Sequence, residues 1–137
     1  MAINTSRDPR PGSFTLRENT KQLTPKVLTK TADYTLTLED HGAIVSTKGA
    51  TGQVTVTAPA SPFTGYMIHL LVGAAQVLVF DPKPDAACII IKGAKQTAGY
   101  YISMTDEGDF ATLVYDGTDW LAIASPSAAD ADITVQT

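Results

Sequence analysis

From residue 26 onward the chain changes to a period of two. Tyr34-Thr35-Leu36-Thr37-Leu38-Glu39 and Gln53-Val54-Thr55-Val56-Thr57 alternate apolar and polar side chains, the pattern of a strand with one buried and one wet face. Stretches 43–47, 66–72, 76–80, 87–91, 100–104, 110–115 and 120–124 are rich in Val, Ile, Leu, Phe and Tyr. Turn residues punctuate them: Asp40-His41-Gly42, Gly49-Ala50-Thr51-Gly52, Asp81-Pro82-Lys83-Pro84-Asp85 and Asp116-Gly117. No 3.6-residue apolar period interrupts the series. The spacing predicts an all-β fold, an antiparallel β-sandwich or jelly-roll-like domain of about nine strands over 31–125. A chain of 137 residues is one domain large enough to bury its own core.

Three strands depart from simple alternation. Tyr66-Met67-Ile68-His69-Leu70-Leu71-Val72, Val77-Leu78-Val79-Phe80 and Cys88-Ile89-Ile90-Ile91 are apolar on both faces. A small sandwich normally leaves one face of each sheet wet, so these strands need a second cover, and little spare loop exists to supply one. Subunit contact is the expected solution, through Met67, His69, Leu71, Val79 and Ile90.

The two ends of the chain read differently. Residues 1–30 carry six cations against two acids, and 31–137 carry four lysines against twelve acids, within a net charge of −4. Pro9, Pro11, Pro25 and Gly12 interrupt the first segment, and its apolar residues are sparse. It reads as an extended basic arm without a core of its own. Within it, Phe14 and Leu16 share one face of a short alternating stretch suited to adding onto another protein's sheet. Arg7, Arg10, Arg17 and Lys21 are placed to pair with an acidic partner. Residues 126–137 read as a flexible tail.

The residues offer little for catalysis. His69 lies inside an apolar strand and His41 in a turn, and no Gly-x-Ser-x-Gly elbow accompanies them. Asp81 with Asp85, and Asp106, Glu107 and Asp109 around Gly108, lack the spacing of a calcium loop and read as solvated turns. The single Cys88, beside three isoleucines, reads as a small buried hydrophobe. Gly49-Ala50-Thr51-Gly52 has no Lys-Ser/Thr after it, so it reads as a hairpin turn and not a phosphate cradle. No enzyme activity, cofactor or metal is expected. The cations of the arm are interleaved with prolines, not aromatics, and the body is acidic, so no nucleic-acid partner is expected. No run of 18 apolar residues exists to span a membrane. The first residues lack the apolar core of a signal peptide, which points to synthesis in a cytosol.

From 32 to 125 the chain resembles a β-rich module of tailed-bacteriophage virion proteins, notably small head-decoration (capsid cement) proteins and some fibre proteins. The matching features are Tyr34-Thr35-Leu36-Thr37 leading to Asp40-His41-Gly42, and Gly49-Ala50-Thr51-Gly52 before Val54-Thr55-Val56-Thr57-Ala58-Pro59-Ala60. Further matches are Gly73-Ala74-Ala75-Gln76-Val77-Leu78 before Asp81-Pro82, and Gly108-Asp109 before Leu113-Val114-Tyr115-Asp116-Gly117 and Trp120. At Ala58 such modules often carry Leu, and the resemblance stops short of the arm. It implies a homotrimeric structural protein on the outer surface of the capsid, made in a bacterial host's cytoplasm. In that reading the arm, through Arg7, Arg10, Phe14, Leu16, Arg17 and Lys21, grips the major capsid protein. The alternative is a phage tail or fibre module for receptor binding or attachment.

Overall fold

The computed structural model describes residues 24–125 and 134–137. Its strands are β1 (Val27–Thr29), β2 (Tyr34–Thr35), β3 (Ile44–Ser46), β4 (Val54–Thr57), β5 (Met67–Leu71) and β6 (Leu78–Asp81), followed by β7 (Ile89–Ile91), β8 (Ala94–Lys95), β9 (Tyr101–Met104), β10 (Phe110–Tyr115), β11 (Trp120–Ser125) and β12 (Thr134–Gln136). Seven form one sheet in the order β1-β3-β5-β10-β11-β7-β8, and five form the other in the order β12-β9-β6-β4-β2. The protein is all-β, as the alternation requires.

The first six strands alternate strictly between the sheets. Each return to a sheet lays the new strand parallel to the last: β3 on β1, β4 on β2, β5 on β3 and β6 on β4. The chain thus coils through two and a half sheet-to-sheet circuits before any hairpin forms. The β10–β11 hairpin then inserts antiparallel to β5, and β7 adds parallel to β11. This corrects the antiparallel, jelly-roll-like expectation, since five of the ten pairings among the described residues are parallel. Alternation within a strand reports which face is buried, and it is blind to the direction of the neighbour.

The described residues form twelve strands, ten of them within 31–125, where about nine were expected. The additions are short and lie at or near sheet edges: β1 falls within the stretch read as an arm, β12 within the stretch read as a tail, and β8 follows β7. Conversely, the alternation over 34–39 forms a strand only at Tyr34–Thr35, because a 3₁₀ turn at Leu38–Asp40 takes up the rest.

One core lies between the sheets. Val45, Ile68, Leu70, Leu113 and Ile89 face Val54, Val56, Leu78, Phe80 and Ile102, all within the buried cluster. Trp120 is its largest member. It lies 5.2 Å from Phe80 and 5.3 Å from Tyr115 between ring centroids, and 6.1 Å from Tyr66. Its indole N–H donates to the Lys83 carbonyl at 3.0 Å, which satisfies the polar end of a ring otherwise surrounded by carbon. Ala122 and Ala124 follow Trp120 on the same inward face, as the sequence suggested.

Two loops cross so closely that only glycine fits. A Cβ at Gly73 would stand 2.6 Å from Ser46 Oγ and 2.7 Å from the Lys48 backbone nitrogen. Beside it, the Gly73 N–H donates to the buried Thr47 hydroxyl at 3.0 Å. Gly73→Ala is therefore expected to destabilise the fold by about 1–3 kcal/mol, the cost of forcing backbone apart in a packed region. Chemical denaturation would read it as a lower midpoint at unchanged slope.

Candidate functional site

The outward side chains of the seven-stranded sheet form rows fixed by strand register. Ile90, Leu121, Val114 and Met67 lie across from one another in the first. Ile123, Thr112, His69, Ile44 and Val27 form the second. Phe110, Leu71, Ser46 and Thr29 form the third. From Ile90 to Val27 these rows contain no Asp, Glu, Lys or Arg, and the first charge is Lys95 of β8, across from Ile90 at the far edge of the sheet. Ile123 is 74% exposed and Val27 63%, with Phe110, Leu121 and Leu71 also open to solvent. These thirteen positions, on six strands about 4.8 Å apart and in rows about 7 Å apart, cover on the order of 450 Å². That is near the upper limit of the apolar patches found on ordinary monomers.

Four of the five residues expected at a subunit interface, Met67, His69, Leu71 and Ile90, lie together on this face. Val79 does not. It points outward from β6 in the other sheet, between Thr55 and Ser103, on the opposite side of the molecule. Strand β6 is thus apolar on both faces for a reason of its own: Val79 is sealed by neighbouring side chains at 7% exposure. Leu121, Ile123, Phe110, Val114, Ile44 and Val27 complete the face and were not anticipated. For Leu121 and Ile123 a signal was present, since 120–124 is apolar at every position. Val27 and Ile44 were legible only once β1 and β3 were seen beside β5.

At the β1 side the face runs into a groove of about 570 Å³ whose lining includes Lys26, Glu39, His41, Ile44, Met67 and His69. The histidines, 28 positions apart in sequence, thus line one depression. His41 Nδ1 accepts the Met67 N–H at 3.0 Å, and its ring stands 5.2 Å edge-on from Phe63. His69 Nδ1 is 2.9 Å from the Thr112 hydroxyl. No group of three or more His, Cys, Asp or Glu side chains among the described residues is arranged to hold a metal ion. Arg7, Arg10, Phe14, Leu16, Arg17 and Lys21 lie outside the described residues. No helix among the described residues is long and apolar enough to cross a membrane.

Asp40 anchors the groove from below. It is 1% exposed. Its Oδ1 accepts from Lys26 Nζ at 2.7 Å, and its Oδ2 from the Tyr34 hydroxyl at 2.8 Å, the Thr37 N–H at 2.9 Å and the Thr37 hydroxyl at 3.1 Å. Burial alone would raise its pKa, but these donors outweigh it and hold the carboxyl at about 2. The same carboxylate pushes the Tyr34 phenol up, chiefly through their hydrogen bond. Tyr66, whose hydroxyl donates to the Thr37 carbonyl at 2.8 Å, is raised mainly by burial. At the far edge, Asp119 accepts from Lys95 Nζ at 2.6 Å and the Cys88 N–H at 3.0 Å. These donors lower its pKa, and the hydrogen bond to the Asp119 carboxylate raises that of Lys95.

No protein-family model matches the chain, and no curated protein is similar to it in sequence.

A carboxylate whose folded pKa lies below its unfolded one stabilises fully above the unfolded value and loses that contribution as pH falls through the folded one. For Asp40 the window runs from about pH 4 down to about 2, and the shift is worth about 2 kcal/mol. The wild-type unfolding temperature is expected to fall across this window. Asp40→Asn should be less stable at neutral pH and show a flatter acid profile in pH-dependent thermal melts.

Proposed function

We propose that the chain is a structural assembly protein without enzyme activity, which packs the outer face of its seven-stranded sheet against further copies of itself. The observation carrying this reading is the continuous, charge-free set of rows from Ile90 to Val27. Such a face gives a charged partner nothing to pair with, and its polar members stand as two neighbouring pairs, His69 with Thr112 and Ser46 with Thr29, bordered by hydrocarbon. A standard interface buries about 800 Å² per partner, so the face supplies an interface core and the adjoining groove part of its rim. Three such faces directed at a common threefold axis would cover one another and close the assembly.

The resemblance to bacteriophage decoration modules takes the proposal one step further. In that setting the homotrimer sits on the outer surface of the capsid and stabilises it. Residues 1–30 reach the major capsid protein by strand addition through Phe14 and Leu16 and by charge pairing through Arg7, Arg10, Arg17 and Lys21. The described part of that stretch fits such a division: Lys26 is tied to Asp40 and Val27–Thr29 to β3, so an arm would leave the body from residue 24 backward. Three arms acting together convert modest single-arm affinity into firm attachment.

Two measurements test this. Ile123 contributes little to the monomer because it is 74% exposed. Ile123→Asp should therefore leave the fold intact while shifting the mass in light scattering from trimer to monomer. A wild-type protein that is monomeric at micromolar concentration would overturn the assembly reading. Removing residues 2–23 spares Lys26 and β1, and should leave a folded, trimeric body that no longer sediments with capsids. Full decoration by the truncated protein would show that the body carries the capsid contact.

A further inference from the structure

The opposite side of the sandwich has a different chemistry. Thr55, Val79, Asp81, Tyr101 and Ser103 point outward from adjacent strands of the five-stranded sheet, with Val79 in register with both Thr55 and Ser103. Val79 is 7% exposed and Ser103 4%, although neither belongs to the core between the sheets. They form the floor of a trough of about 330 Å³ whose sides are Gln53, Asp81, Tyr101 and Gln136. The Tyr101 hydroxyl donates to Gln136 Oε1 at 3.1 Å, which fixes the ring along one side. The volume is at the lower end of the ~300–1,000 Å³ typical of small-molecule sites.

The lining selects a class of ligand. It holds two carboxamides, two aliphatic hydroxyls, a phenol and one carboxylate, and among the described residues no cation lines it. A phosphorylated or otherwise anionic ligand would face Asp81, and the nearest cation, Lys83, lies outside the lining and is already paired with Asp81 at 3.6 Å and with Asp85. A hard cation would find one carboxylate where six to eight oxygen ligands are needed. An extended peptide pairs through the edge of a strand, whereas the floor of the trough lies on the face of the interior strands β6 and β9. Carboxamides and hydroxyls both donate and accept, as sugar hydroxyls do. The Tyr101 ring offers carbon surface for the C–H face of a pyranose.

We propose that this trough binds a neutral saccharide of one or two rings, with Gln53, Asp81 and Gln136 bonding its hydroxyls and Tyr101 stacking beside it. The site lies on the side of the sandwich away from the apolar face, so an assembly built through that face displays one trough per subunit. Low single-site affinity then gains from multivalency.

The test is titration of the full-length protein with glucose, galactose, mannose, N-acetylglucosamine and their β1,4- and α1,4-linked disaccharides at millimolar concentrations. The readouts are saturation-transfer NMR and calorimetry, with glucose 6-phosphate as the anionic control. At least one neutral sugar should bind, and Asp81→Asn and Gln136→Ala should each weaken it roughly tenfold, the cost of an unpaired polar partner. Gln136 is exposed on an edge strand, so its variant reports binding even where Asp81→Asn alters the neighbouring loop. Binding by none of the sugars, tighter binding of the phosphorylated control, or indifference to both variants would overturn the assignment. Neither variant touches the apolar face, so oligomeric mass stays unchanged and the two proposals fail or stand separately.

Discussion

The alternation of the first six strands between two sheets is the constraint on which the rest of the molecule depends. A strand leaving one sheet must cross to the other, so no local hairpin can form until the circuit has been made more than twice. Each circuit lays its strands parallel to the previous pair, and every such contact joins residues well separated in sequence. Loop-closure entropy must be met before these contacts repay it. The β7–β8 and β10–β11 hairpins are the local exceptions, and the second occupies the centre of the larger sheet. Trp120 begins β11 and packs against Tyr66, Phe80 and Tyr115, so one ring ties the coiled first half to the antiparallel second half.

A coil of this kind has an exposed first turn, and Asp40 secures it. The carboxylate gathers Lys26 from ahead of β1, Tyr34 from β2 and Thr37 from the intervening turn. A buried charge with four donors is tolerable where one with a single partner would not be. The same bonds end β2 after two residues and turn the chain into the 3₁₀ segment, which places His41 over Phe63 and Tyr66. Asp119 plays a comparable part near the other edge, joining Lys95 of β8 and the Cys88 amide ahead of β7 to the start of β11.

The two outer faces then diverge through register alone. On the seven-stranded sheet, outward positions of six strands bring together Ile, Leu, Val, Met and Phe, and the result is a surface suited to burial. On the five-stranded sheet, outward positions bring Val79 and Ser103 between carboxamides, a phenol and a carboxylate, and the result is a polar trough. The proposed assembly on one side and the proposed ligand contact on the other make no competing demands on the same residues.

The sequence by itself determined the β class, the inward positions of nearly every strand and the inward placement of Trp120, because side-chain alternation and turn residues are local properties. It also marked Met67, His69, Leu71 and Ile90, since a strand apolar on both faces announces a second cover within a few residues. Strand direction, the addition of β1, β8 and β12 to the sheets, and the separation of Val79 from the other four belonged to the tertiary structure. Each is set by which strands become neighbours, and pairing partners lie tens of residues apart where period-two patterning carries no information. The trough was invisible for the same reason. Gln53, Asp81, Tyr101 and Gln136 are ordinary polar residues in four separate stretches, and only the order β12-β9-β6-β4 draws them around one floor.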